Sequence, residues 1–186
     1  MKRTFFAVDI RPDDRLIPAL QDIRNHLSGE YIKWVPADIM HLTLKFLGDT
    51  PEDTIRQIIN AVDTPFRKIP VMTLHLSAVG LFKNLRNPRV IWIGIKSCPP
   101  LAQAVQILGN TLISFGYPAD PVEFVPHLTL GRVKEIKQME KLVRLIEKYK
   151  NESFGTAEVR EIIYYESMLH PEGPVYIPLA RFPLAG

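Results

Sequence analysis

The feature that most limits the fold of this chain is a four-residue word that occurs twice. HLTL spans residues 41–44 and again residues 127–130 of a chain of 186 residues. In each half, a predicted helix precedes the HLTL segment and another predicted helix follows it. A repeat of this kind indicates one internal duplication with a long period, rather than a solenoid of many short units. We therefore predict two related lobes.

The order of predicted elements points to a fold class. Hydrophobic periodicity and turn residues predict the order β, α, β, β, α, β, β, α, β, α, β, β. Strands do not alternate strictly with helices, which argues against a doubly wound parallel sheet and favours an α+β fold. No low-complexity linker separates the halves. Residues 1–186 are therefore predicted to form a single bilobal domain. Near its end, the apolar pattern predicts one uninterrupted strand over residues 159–169.

Composition excludes some classes of protein. Hydrophobic residues make up 46% of the chain and charged residues 23%, which excludes a disordered chain. The formal net charge of +3 tolerates an anionic partner without identifying one. The lone cysteine, Cys98, permits no intramolecular disulfide. No apolar stretch approaches the ~20 residues of a membrane span, and Asp9 interrupts the first apolar run, so we expect a cytoplasmic protein.

The HLTL word has a defined geometry if it lies in a strand. Side chains of a strand alternate between its two faces, so His41 and Thr43 point one way while the two leucines point into the core. The same alternation places His127 and Thr129 together in the second copy. If a pseudo-twofold axis relates the lobes, the two pairs face each other across a cleft.

Two histidines across a cleft suit phosphoryl chemistry by acid–base catalysis. A neutral imidazole can take a proton from water while a protonated one gives a proton to a departing alkoxide. The threonine hydroxyls can donate to the non-bridging phosphate oxygens. Arg132 can add a permanent positive charge. Strict alternation places it on the face opposite His127, so this role requires the strand to end or twist by Gly131. The residues do not say which histidine is the acid.

The remaining histidines and the metal alternative are less favoured. His26, His75 and His170 have no repeated partner, and we interpret them as structural. The chain has no histidine or cysteine pair at metal-ligand spacing and no glycine-rich phosphate loop. We therefore predict neither a metal nor a cofactor.

The paired motifs also carry a family resemblance. The two H-x-T-x words are the signature of the two-histidine phosphoesterase superfamily. More closely, the chain resembles the LigT-like RNA 2′,3′-cyclic phosphodiesterases, long called 2′-5′ RNA ligases. The similarity includes the segments FFAVD, HLTLKFLG, VIWIG, PHLTLGR and EGPVY and runs nearly the full length of the chain.

This resemblance implies a fold, a reaction and residue roles. The fold has two pseudo-symmetric lobes, each an antiparallel sheet flanked by helices, with the active cleft between them. The reaction is hydrolysis of a terminal 2′,3′-cyclic phosphate of RNA to a 2′-phosphate. By the resemblance, His41 is the proton donor and His127 the proton acceptor, while Thr43, Thr129 and Arg132 bind the phosphate.

The expected partner is an RNA or nucleotide with a 2′,3′-cyclic phosphate end, with no membrane and no obligatory protein partner. Phe6 and Phe46 are predicted to stack on the terminal base, since stacking tolerates any base. Lys83, Arg86 and Arg89 form either a loop that contacts the RNA backbone or a solvated basic turn.

Two alternative functions remain open at this stage. A 2′-5′ RNA ligase would run the reverse reaction on a cyclic-phosphate end and a 5′-hydroxyl end through the same transition state. A non-catalytic module would use the cleft only to hold RNA ends.

Overall fold

The computed structural model describes residues 1–119, 121–171 and 173–186, and within them the fold is α+β, as predicted. None of the described helices is long and apolar enough to cross a membrane. The helices are α1 (Leu16–His26), α2 (Glu52–Phe66), α3 (Pro99–Ile113) and α4 (Met139–Tyr149), with a short 3-10 turn at Ala37–Ile39. The strands are β1 (Lys2–Asp9), β2 (Tyr31–Trp34), β3 (His41–Thr50), β4 (Met72–Phe82), β5 (Val90–Lys96), β6 (His127–Glu135), β7 (Ser153–Val159), β8 (Glu161–Leu169) and β9 (Pro174–Pro183).

The strands form two antiparallel sheets. Sheet A has the order β3-β1-β8-β9, and sheet B has the order β2-β6-β5-β4-β7. The first HLTL word opens β3 in sheet A, and the second opens β6 in sheet B. The predicted arrangement of two related sheets, each with one HLTL strand, is confirmed.

The two halves of the chain exchange strands. β4 follows α2 in the first half, yet it pairs with β5 in sheet B. β8 follows α4 in the second half, yet it pairs with β1 in sheet A. The neighbours β3-β1-β8 therefore correspond to β6-β5-β4, and each sheet takes strands from both halves.

The principal hydrophobic core of the described residues lies between the sheets and the helices, and a smaller buried cluster contains Phe5, Ala7, Ile163 and Tyr165. The leucines of both HLTL words belong to the principal core, with exposures of 0% and 3% at Leu42 and Leu44, and of 0% and 1% at Leu128 and Leu130. The helices bury one apolar stripe each. In α2 this stripe is Ile55, Ile58, Val62 and Phe66, at the spacing of one helix face.

The predicted strand over residues 159–169 is wrong in one respect. The chain changes sheets at Arg160, because β7 ends at Val159 and pairs with β4 in sheet B, whereas β8 begins at Glu161 and pairs with β1 in sheet A. Both strands bury side chains in the same core, so the apolar pattern continues across the break. β7 was not predicted as a separate strand, because small and polar residues surround Gly155 in it. Gly155 itself has a φ of +96°.

Candidate active site

The two HLTL strands bring two histidines and two threonines onto accessible faces. β3 and β6 contact each other where sheets A and B meet. In β3, His41 and Thr43 are partly exposed while the leucines beside them are buried. In β6, His127 and Thr129 show the same pattern. We call the sheet faces that carry these four residues the cleft faces.

Each catalytic candidate is held by a backbone carbonyl two residues before it. The Nδ1–H group of His41 donates to the carbonyl of Ile39 at 2.9 Å, and that of His127 donates to the carbonyl of Val125 at 2.8 Å. A carbonyl only accepts, so Nδ1 carries the hydrogen in both rings. Nε2 is therefore the nitrogen of each imidazole that can take or give a proton.

Aromatic rings fix both imidazoles from the side. Phe5 packs on His41 with ring centroids 5.1 Å apart, and Tyr176 meets His41 edge-on at 5.0 Å. Phe82 meets His127 edge-on at 4.5 Å. These contacts restrict ring rotation, so each Nε2 keeps one orientation.

The pKa values of both histidines are lowered, and one positive charge, that of Arg132, contributes to both shifts. Burial is the main cause that lowers the pKa of His41, and the positive charges of Arg132 and His127 lower it further. The carbonyl of Ile39 and the carboxylate of Asp9 act in the opposite direction. Burial and the charge of Arg132 likewise lower the pKa of His127 against the effect of its own carbonyl partner. The charge of Arg132 therefore lowers the pKa of both imidazoles.

A β-bulge resolves the orientation of Arg132. Trp92 pairs with Thr129, but the next partner pair is Ile91 with Gly131, so Leu130 is an extra residue in β6. Beyond the bulge Arg132 pairs with Val90. Because paired residues point to the same face, and Val90 lies on the same side of β5 as Trp92, the bulge returns Arg132 to the cleft face.

The first HLTL strand has the same bulge at the equivalent leucine. Ala7 pairs with Thr43 and Phe6 with Lys45, so Leu44 is the extra residue, and Phe46 pairs with Phe5 beyond it. Phe46 therefore occupies in β3 the position that Arg132 occupies in β6. It is 48% exposed, and the guanidinium of Arg3 lies 4.8 Å from the centre of its ring.

The prediction that Phe6 stacks on a base is wrong. Phe6 is fully buried, with 0% exposure, and its ring stacks on Tyr164 at 4.2 Å within the core. Alternation along β1 places Phe5, not Phe6, on the cleft face. The stacking role of Phe46 stays a prediction. The ring of Phe46 is accessible.

The match to a known family repeats in the two halves of the chain. A model of the LigT-like phosphoesterase family matches the chain twice, over residues 8–92 and 93–176. The chain belongs to the LigT-like phosphoesterase family. The prediction of this family from the paired motifs is confirmed.

Several relatives of this LigT-like chain carry the same name. The RNA 2′,3′-cyclic phosphodiesterase of Methanocaldococcus jannaschii is 35% identical over 94% of this chain and 96% of its own length. The protein of that name from Archaeoglobus fulgidus is 34% identical over 97% of this chain and 99% of its own length.

Solved structures agree with the fold of this LigT-like protein. The crystal structure of TT0787 of Thermus thermophilus matches with a TM-score of 0.80 at 26% identity, over 99% of this chain and 98% of that one. The structure of E. coli LigT complexed with 3′-AMP matches with a TM-score of 0.79 at 28% identity, over 100% of this chain and 99% of that one.

A carboxylate beside one histidine of the candidate site was not identified from the sequence. Asp9 pairs directly with His41 across β1 and β3, and the hydroxyl of Tyr165 donates to Asp9 Oδ1 at 2.8 Å. Burial, with Asp9 adding to it, raises the pKa of Tyr165, so this hydroxyl remains a donor. The residue that pairs with His127 is Gly94, which has no side chain. Only the strand register reveals this asymmetry.

The basic loop lies next to the second histidine. Lys83, Arg86 and Arg89 follow Phe82, the residue whose ring contacts His127. The side chain of Asn84 accepts hydrogen bonds from two backbone N–H groups of this turn. Whether the loop contacts RNA stays a prediction.

Proposed function

We propose that the protein hydrolyses the 2′,3′-cyclic phosphate end of RNA to a 2′-phosphomonoester, without a metal, by a pair of histidines. The observation that carries this proposal is the matched pair of imidazoles. In each, Nδ1–H is bound to a carbonyl and Nε2 is left for proton transfer, and the charge of Arg132 acts on both. The names of the LigT-like relatives support the reaction class.

The proposed step moves two protons in opposite directions. Nε2 of neutral His127 takes a proton from water as the water oxygen attacks phosphorus. Nε2–H of protonated His41 gives its proton to the 3′-oxygen as the bond between phosphorus and that oxygen breaks. The phosphate then remains on the 2′-oxygen. Thr43 and Thr129 donate to the non-bridging oxygens, and Arg132 balances their negative charge.

The surroundings of the histidines support this division of roles. Asp9 lies directly opposite His41, and its charge favours the protonated form that a proton donor needs. Gly94 lies opposite His127 and offers no such charge, which favours the neutral form that a base needs. Asp9 therefore makes the two halves of the site unequal. The difference favours His41 as proton donor and His127 as proton acceptor, the roles that the family resemblance implies.

The test is hydrolysis of an RNA oligonucleotide that ends in a 2′,3′-cyclic phosphate, with identification of the product isomer. His41→Ala and His127→Ala are each expected to lower kcat by about 10²–10⁴-fold. His75→Ala, at an exposed histidine on β4, is the matched control and is expected to keep full activity. Excess EDTA is expected to change nothing.

Other outcomes would overturn parts of the proposal. A 3′-phosphate product would contradict the proposed geometry, and loss of activity with EDTA that one metal restores would contradict the metal-independent mechanism. Tight binding without turnover would instead indicate an RNA-end-binding module. A 2′-5′-linked product from cyclic-phosphate and 5′-hydroxyl ends would indicate ligation.

A further inference from the structure

Two positive side chains lie directly opposite each other at the border of the cleft. β2 is the edge strand of sheet B and pairs with β6. In this pairing Lys33 lies opposite Arg132, and both residues are exposed. Because paired residues point to the same face, Lys33 extends the cleft face by one strand beyond Arg132, about 5 Å farther out.

This arrangement is unfavourable without an anion. Like charges placed directly opposite each other on neighbouring strands destabilise a sheet. In the described part of the chain, neither cation has a carboxylate within salt-bridge distance, although eight other cations do. A bound anion would relieve the repulsion between them, so the pair has the chemistry of an anion site.

The position of the pair identifies the kind of anion, given the function proposed above. Arg132 acts on both histidines, and there it serves the cyclic phosphate. Lys33 lies on the side of Arg132 away from β5, where its charge is placed to contact a second phosphate of the same RNA strand. We propose that Lys33 binds the phosphodiester that joins the terminal nucleotide of the substrate to the nucleotide before it.

An aromatic residue continues the same face. Tyr31 lies two residues before Lys33 on β2 and is 66% exposed. Its accessible ring can stack on an unpaired base. Its partner across the sheet is Glu135, whose carboxylate repels phosphate. The site therefore accepts one phosphodiester and one base, and a dinucleotide fills it.

The test compares three substrates in the full-length protein. They are adenosine 2′,3′-cyclic phosphate with a free 5′-hydroxyl, the adenosine dinucleotide with the same cyclic end, and the trinucleotide. We expect kcat/KM to rise from the mononucleotide to the dinucleotide and then to stay level. Lys33→Ala is expected to lower kcat/KM for the dinucleotide about tenfold, because it removes a charge-assisted contact, and to leave the mononucleotide unchanged.

Further variants separate binding from folding and from net charge. Lys33→Arg is expected to retain the dinucleotide preference, and Tyr31→Ala to reduce it on the order of fivefold or more. Lys68→Ala removes an exposed charge at the end of α2 and is expected to have no effect. In Lys33→Ala, the slope of log kcat/KM for the dinucleotide against log salt is expected to become shallower by about 0.7.

The outcomes distinguish this inference from the proposed function. If the wild-type protein hydrolyses none of the three substrates, the proposed function fails. If it hydrolyses the mononucleotide and the dinucleotide equally well, or if Lys33→Ala keeps the dinucleotide preference and the salt slope, the subsite is refuted while the function stands.

Discussion

At the scale of single residues, the two histidines differ in what lies across the strand from each. His41 has Asp9 opposite it, and Tyr165 holds that carboxylate by a hydrogen bond of 2.8 Å. His127 has Gly94 opposite it. Arg132 acts on both rings and lowers both pKa values. Two identical words in the sequence therefore have different charges opposite their histidines in the structure.

The first prediction concerns the pH profile. Since the proposed mechanism requires one proton on the histidine pair, kcat/KM is expected to follow a bell whose limbs belong to the coupled pair in the free enzyme. Both pKa values are lowered from the ordinary histidine value of about 6.5, mainly by burial. The maximum is therefore expected below about pH 6.5, with activity falling as the pH rises past it. A maximum near pH 8 would contradict these directions.

The second prediction concerns Asp9. Its charge raises the pKa of His41, so Asp9→Asn is expected to lower that pKa and to move the alkaline limb of the bell to lower pH. Arg132→Met is the control of opposite sign, since losing its charge raises both pKa values and moves both limbs to higher pH. Profiles of kcat/KM over pH 4–9 would measure both shifts. An unmoved alkaline limb in Asp9→Asn would mean that Asp9 does not act on His41, the proposed proton donor.

At the scale of elements, the site depends on one extra residue in each HLTL strand. The bulges at Leu44 and Leu130 reverse the alternation, and they bring Phe46 and Arg132 onto the cleft faces. In β6 the residue after the bulge is Gly131, where an added Cβ would lie 2.7 Å from Ile32 Cγ2 and 2.9 Å from the Trp34 ring. The close approach of β2 to β6 therefore requires a glycine here.

The third prediction compares two glycines. Gly131→Ala forces Ile32 and Trp34 to shift, and it is expected to lower the free energy of unfolding by about 1–3 kcal/mol. Gly109 lies within α3, where an added Cβ meets nothing within 4 Å, so Gly109→Ala is expected to raise that free energy by about 0.5–1 kcal/mol. Urea denaturation measures both changes. Equal effects of the two substitutions would mean that β2 and β6 are not so tightly packed.

At the scale of the whole molecule, the exchange of β4 and β8 joins the two halves. Sheet A is incomplete without β8 from the second half, and sheet B is incomplete without β4 from the first. The buried residues of both sheets also belong to one principal core. We propose on this basis that residues 1–186 fold as a single domain, despite the duplication.

The fourth prediction tests this cooperativity. Both tryptophans of the chain, Trp34 and Trp92, lie in sheet B, whereas Ile162 is fully buried in sheet A. Ile162→Ala is expected to destabilise the protein by about 2–5 kcal/mol. In a single domain, tryptophan fluorescence and far-UV circular dichroism then shift together to lower urea. A fluorescence midpoint that stays at its wild-type position would show that sheet B unfolds independently.

The local part of this structure could be predicted from the sequence, because it depends on local patterns. The repeated HLTL word indicated the duplication, and its period of two separated the buried leucines from the accessible His41 and His127. The mixed order of strands and helices indicated the α+β class. The paired motifs identified the family, which the match over both halves confirms.

Pairing between distant strands decided the rest. Alternation alone placed Arg132 on the wrong face, because a bulge exists only relative to a partner strand. Phe5 lies beside His41 and Phe6 lies in the core, although the prediction placed Phe6 at the site. The packing of sheet A decides which side of β1 faces the core. The pairings of Asp9 with His41 and of Lys33 with Arg132 join residues far apart in the chain. Periodicity records which residues share a face, whereas only the register of the assembled sheets determines which residues are neighbours.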